Sequence, residues 1–140
     1  AELGKRAASV DFVRLDPTSC AGEGAAVAGK AAAADAVLVA LFVRPRSGRG
    51  TLEIPAEGKA AIAALLASGK PVVAVSFGSP YLLRDVPGLE TYLTSYGPQG
   101  LVQAAAARAL YGEAPIEGKL PVTIPGIAPR GTGIRKEAVK

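Results

Sequence analysis

The chain contains no histidine. A Ser-His-Asp triad, a Cys-His pair and most zinc sites need an imidazole to move a proton or to bind metal, so none of them can be built from these residues. Its one cysteine, Cys20, cannot close an intrachain disulfide and says nothing about redox compartment. Tryptophan is absent and the aromatics are four Tyr and three Phe, which leaves few rings for bases or sugars to stack on. The longest apolar run, Ala36 to Val43, is eight residues, against the about 20 that a membrane helix needs; no membrane span is expected. Residues 1–8 carry Glu2, Lys5 and Arg6 and lack the apolar core of a signal peptide. Methionine is missing too, and from this we expect a piece of a longer polypeptide.

What remains is the composition of a folded domain. Of its 140 residues 49% are hydrophobic and only 20% charged, which excludes a disordered segment and suits one core. The net charge of +4 is concentrated at the end, where Arg130, Arg135, Lys136 and Lys140 face Glu137 alone. The body is therefore nearly neutral. We expect residues 127–140 to form a basic, solvated and mobile tail, and we expect no nucleic-acid partner.

The apolar pattern orders the chain. Residues 2–8 read as a helix end and Val10 to Leu15 as a partly alternating strand. Ala25 to Ala34 reads as an Ala-rich helix weakened by Gly22, Gly24 and Gly29. The continuous run Ala36 to Phe42 has the character of a parallel strand covered on both faces, hence a central one. A helix from Pro55, with Ile62, Leu65 and Leu66 on one face and Gly69 as its cap, leads to a second such strand, Val72 to Phe77. This is a βαβ unit. Thr91 to Tyr96 reads as another strand, followed by a helix with Val102, Ala106, Ala109 and Leu110 on one face and Gly112 at its end. Leu120 to Ile124 reads as an edge strand, because Pro121 has no N–H for a central ladder.

The loops after parallel strands emerge on one side of the sheet and are where α/β folds place ligands. Here they are 43–53 and 78–88. The first holds Arg44, Arg46 and Arg49 with two glycines, which could cradle an anion, although the pattern is neither GxxxxGK[ST] nor GxGxxG. Arg44, Arg46, Arg49, Ser79 and Tyr81 are the candidate residues of an interdomain or substrate-side surface. Ser76 precedes Gly78 as in half of a nucleophile elbow, but Ala74 stands where the first glycine belongs and no base exists. Glycoside hydrolysis needs two carboxyl groups about 5–9.5 Å apart, and Glu53, Asp85, Glu113 and Glu117 read instead as structural carboxylates. No catalytic residue, cofactor or metal is expected.

Two stretches carry more than class information. Lys70-Pro-Val-Val-Ala-Val-Ser-Phe-Gly-Ser-Pro-Tyr-Leu-Leu83 and Ala107-Arg-Ala-Leu-Tyr-Gly-Glu-Ala-Pro-Ile-Glu-Gly-Lys-Leu-Pro-Val-Thr-Ile-Pro-Gly126 closely resemble the C-terminal domain of family 3 glycoside hydrolases, with Tyr111 where that family has Phe. The resemblance covers about residues 10–126 and is nearest to the β-N-acetylhexosaminidase branch. It implies a three-layer α/β/α sandwich, flavodoxin-like, with a mostly parallel sheet, set behind a (β/α)8 barrel that supplies the nucleophilic Asp. Loop 43–53 departs from the β-glucosidase branch, whose acid/base Glu lies there: it has three arginines and no carboxylate before Glu53. The expectation is thus a domain over residues 1–126 that is inactive alone, partnered by the barrel of a parent hydrolase and meeting carbohydrate only through it. The alternative is a module that binds an anion or a protein through loop 44–50. A flavodoxin-like sheet opens on a strand that would lie between residues 10–15 and 36–42; that first strand is missing from this reading.

Overall fold

A computed structural model describes residues 2–16, 20–43 and 52–139. They fall into two compact units, Asp11–Tyr96 and Ala1–Val10 with Gly97–Lys140. No described helix is long and apolar enough to cross a membrane.

The first unit is built on a parallel sheet of β1 (Val37–Leu41), β2 (Val72–Ser76) and β3 (Thr91–Thr94), in the order β1-β2-β3. Both expected central runs form strands, and the chain has the expected α/β architecture. Helix α1 (Cys20–Ala32) precedes β1, and α2 (Ala56–Ala67) joins β1 to β2. In a strand alternate side chains share a face, so Val37, Val39 and Leu41 point the same way as Val72 and Ala74 across the register. On that face lie Val27 and Ala31 of α1 and Ile62, Leu65 and Leu66 of α2, in two adjoining apolar clusters. The predicted one-sided trio of α2 is what seals it. Pro55, rather than occupying the first turn, is the cap residue of α2 and accepts a bond from Lys59 N–H at 2.9 Å.

Three expectations fail in this unit and its neighbour. Residues 10–15 form no strand: none of them joins a ladder among the described residues, and Phe12 is 80% exposed. A strand exists only as part of a ladder, and alternation alone did not provide a partner. β1 is not central; among the described residues it pairs with β2 alone, and Leu38, Ala40 and Phe42 on its other face are exposed. Leu120 to Ile124 is not a strand either. Its backbone is satisfied by the returning chain instead, with Leu120 N–H donating to Thr132 O and Gly131 N–H to Leu120 O, both at 2.8 Å.

The second unit contains α3 (Gly100–Leu110) and a short 3₁₀ turn, Leu3–Lys5, where a helix end was expected. Gly112 ends α3 at φ 72°, with its N–H on Ala109 O and Glu113 N–H on Arg108 O, the paired bonds of a left-handed cap. A β-carbon at Gly112 would also meet the Val139 side chain at 2.9 Å. Isolated bridges tie Ile116 to Lys136 and Ile124 to Ala128, and Arg135 pairs with Glu117 and Glu137. Arg6 donates to Glu113 at 2.6 Å and to Glu2 at 2.9 Å. Its guanidinium holds the Glu113 carboxyl below the usual range, and Lys5 followed by Arg6 does the same for Glu2.

Two predictions follow from this packing. Leu65→Ala, at a position 6% exposed, should destabilise by about 2–5 kcal/mol in urea unfolding, while Leu101→Ala, 87% exposed, should stay within about 0.5 kcal/mol. A carboxyl with a depressed folded-state pKa stabilises above its ordinary value of 4.5 and ceases to as pH falls through the folded value. Glu113→Gln should therefore lower the urea midpoint at pH 7, and the gap to the native chain should narrow as pH falls through the folded-state value, where the native carboxyl takes up its own proton.

Candidate functional site at the strand ends

The register Leu41↔Ser76 and Ser76↔Thr94 sets the C-terminal ends of all three strands in one row. Phe77 N–H donates to Leu41 O at 2.9 Å and Ser95 N–H to Ser76 O at 3.0 Å, extending the ladder past each named strand. One residue beyond the ends, Phe42 and Phe77 stack with centroids 4.7 Å apart and planes at 10°. Phe77 is buried, and Phe42 leaves a half-exposed ring at the rim.

Ser76 organises the hydroxyls around it. It is fully buried, and its Oγ donates to Ser79 O at 2.8 Å. Tyr92 Oη, from β3, donates toward the same oxygen at 3.3 Å and toward Pro80 O at 3.4 Å, and Ser95 Oγ donates to Ser76 O at 3.2 Å. Burial raises the Tyr92 phenol above its ordinary value, keeping it a neutral donor. These bonds fix the carbonyl of Ser79, from which a 3₁₀ turn, Pro80–Asp85, departs with Pro in its first turn and the Ser79 hydroxyl accepting Tyr81 N–H at 3.2 Å. The Arg84 guanidinium lies 5.4 Å from the centre of the Tyr81 ring. At the end of β3, Tyr96 takes φ 57°, a left-handed conformation unusual for a residue with a side chain, and is half-exposed.

The far end of the turn is pinned by charge. Asp85 Oδ2 accepts Ile54 N–H at 2.7 Å, Oδ1 lies 3.4 Å from Lys59 Nζ, and Glu53 reaches the same ammonium at 3.3 Å. Burial pulls the Lys59 pKa down, but the bond to Glu53 and the charge of Asp85 outweigh it and leave the ammonium above its usual range. Asp85 and Glu53 thus meet at a cation and a backbone amide.

Of the expected site residues, Ser79 and Tyr81 come together here, both half-buried. The Ser79 hydroxyl is occupied as a turn cap. Arg44, Arg46 and Arg49 lie outside the described residues. Ser76 has no route to a substrate, since it is sealed by its neighbours. Tyr92, Ser95 and the Phe42–Phe77 stack are additions the sequence reading missed; only strand register brings them together, and no spacing in the chain encodes that. Among the described residues no group of three or more His, Cys, Asp or Glu could hold a metal. The arrangement offers a hydrogen-bonded rim of rings and hydroxyls, suited to docking or to polar contact at the edge of another site.

Comparison with known proteins gives this rim a context. The family described as "Glycosyl hydrolase family 3 C-terminal domain" matches residues 4–133. A protein of Cellulomonas fimi named beta-N-acetylglucosaminidase/beta-glucosidase is 44% identical over 52 residues, which are 37% of this chain and 9% of that protein. The chain therefore matches less than a tenth of that relative's length. No solved structure matches the chain.

If the rim is held as described, Asp85→Ala should destabilise by about 1–3 kcal/mol in urea, since it strands the Ile54 amide. Tyr92→Phe should cost about 0.5–1.5 kcal/mol. A loss below about 0.3 kcal/mol for both, within the scatter of surface substitutions, would show that neither group anchors the turn.

Proposed function

The chain belongs to the family 3 glycoside hydrolase C-terminal domains, and from that premise we propose that it serves a β-N-acetylhexosaminidase-type hydrolase as its non-catalytic C-terminal domain, buttressing a catalytic (β/α)8 barrel. The parent would cleave terminal β-linked N-acetylhexosamine residues. The name of the Cellulomonas fimi relative, which joins N-acetylglucosaminidase to glucosidase, supports this substrate class. The observation that carries the non-catalytic reading is the use made of the carboxylates near the rim. Glycosidic cleavage needs one carboxyl free to give a proton and a second to attack or to activate water. Asp85 and Glu53 are bound instead to Lys59 and the Ile54 amide.

In this reading the strand-end rim faces the barrel. Ser79 and Tyr81 would contribute through their backbone and ring, Arg44, Arg46 and Arg49 through charge at the interdomain or substrate side, and carbohydrate would be met only in the parent's cleft. No cofactor is required for hydrolysis by paired carboxyl groups.

The test is an assay of the 140 residues and of the barrel-containing parent on a chromogenic N-acetyl-β-glucosaminide. The isolated chain should show no turnover and the parent should. Turnover by the isolated chain that survives repurification and disappears on a single Asp or Glu substitution would overturn the reading. Replacing Arg44, Arg46 and Arg49 together by Ala should leave the isolated chain's urea midpoint within the usual surface range of about 0.5 kcal/mol per site while lowering the parent's kcat/KM; a collapse in stability would give the arginines a folding role instead.

A further inference from the structure

Thr94, the last residue of β3, keeps a hydroxyl that nothing uses. Its Oγ1 is buried and, among the described residues, is the one buried side-chain polar atom without a hydrogen-bond partner. The register sets it opposite Ser76, and it shares a strand face with Tyr92 two residues earlier. The hydroxyls around it are all engaged. Ser76 and Tyr92 donate to Ser79 O, the Ser79 hydroxyl accepts Tyr81 N–H, and Ser95 donates to Ser76 O. A buried hydroxyl with no partner costs stability that a methyl group of the same shape would not. Folded chains carry such groups where water, an ion or a function takes them up.

Backbone strain marks the same place. Had β3 continued as a strand, Tyr96 would share the face of Thr94, but its φ of 57° ends the strand there. Among the described residues no other residue with a side chain takes a positive φ. Left-handed backbone at a residue of this bulk is held against its own preference, and such positions gather at ligand clamps. The Tyr96 phenol lies near the Thr94 hydroxyl, which pulls its pKa down while burial raises it further, so it stays a neutral hydroxyl. No hydrogen bond closes between the two. Tyr96 is also half-exposed, so its ring can turn without opening the core.

We propose that Thr94 Oγ1 and the Tyr96 phenol form a binding position for one hydroxyl group of a carbohydrate, with Tyr96 turning aside to admit it. The pair lies at the C-terminal end of a parallel strand, the side on which such sheets bind ligands. Both groups are neutral, and each can donate and accept at once, as a sugar hydroxyl does. An anion would call for a cation here and a cation for a carboxylate, and Thr94 Oγ1 is bonded to neither. That the ligand is a sugar rests on the hydrolase reading; that Thr94 lacks a partner rests on the sheet.

The probe is N-acetylglucosamine, titrated into the isotopically labelled 140-residue chain while the backbone amides are followed by NMR. Thr94, Ser95 and Tyr96 should shift saturably, with a Kd on the order of 10 mM for so few contacts. Tyr96→Phe should weaken binding about two- to tenfold. Thr94→Val should abolish the shifts and yet raise the urea midpoint, because it removes an unsatisfied hydroxyl at constant shape. That opposition of binding and stability is what a merely structural threonine would not show. A lower midpoint for Thr94→Val would mean that water or Tyr96 already satisfies the hydroxyl, and the proposal would fall. It would fall equally if no saturable shift occurred, if Thr94→Val still bound, or if glycerol produced the same shifts. A parent that leaves the chromogenic glycoside intact would instead sink the hydrolase reading, an outcome read in a different protein and a different assay.

Discussion

Everything described at the rim depends on β2 being held on both sides. Val72 to Ser76 pairs in parallel with β1 and with β3, and four of its five residues are buried. A backbone in that position has no water to turn to, so each amide and carbonyl must bond across the ladder or be lost at a cost of about 1–3 kcal/mol. The register is then not free to slip, because a one-residue shift would send Ala74 and Ser76 to the opposite face. A fixed register brings Ser76 opposite Thr94 and sets Ser79, Tyr92 and Ser95 around one buried hydroxyl. The rim is a consequence of the strand.

The same reasoning separates what the amino-acid pattern could reveal from what it could not. Val72 to Phe77 is apolar at every position but one, and only a strand covered on both faces needs that; it is central as expected. Ala36 to Phe42 has the same signature, but the pattern reports what a strand is made for rather than what neighbours it has, and its outer edge is bare among the described residues. Val10 to Leu15 alternates as a strand does, yet a ladder needs a second edge and none is supplied. Leu120 to Ile124 failed for a different reason. Pro121 predicts an edge position, whereas bonds to Thr132 and Gly131 leave the segment outside the sheet of the described residues. The glycine-ended helices were legible because Gly69 and Gly112 both take positive φ, a local requirement that a local signal can express.

At the site the division is similar. Ser79 and Tyr81 could be named because they follow a recognisable strand in a recognisable turn. Tyr92, Ser95 and the Phe42–Phe77 stack could not, since their meeting is set by register between strands 15 or more residues apart in the chain. Asp85 reads in the sequence as a structural carboxylate, and its bonds to Ile54 and Lys59 give that reading its content by fastening the turn to the start of α2. Membership of the family gives the rim a direction only through the proposal that a barrel stands against it; the sheet supplies the support that such a contact would use.

The account rests on β2 and its ladder opening only with the whole unit. Native-state hydrogen exchange of the Phe77 and Ser95 amides, whose bonds to Leu41 and Ser76 extend that ladder past its strands, tests this directly. Both should exchange with an opening free energy equal to that of urea unfolding. Exchange at several kcal/mol less than the global value would show the strand ends opening locally, and the rim would not be the hydrogen-bonded platform described.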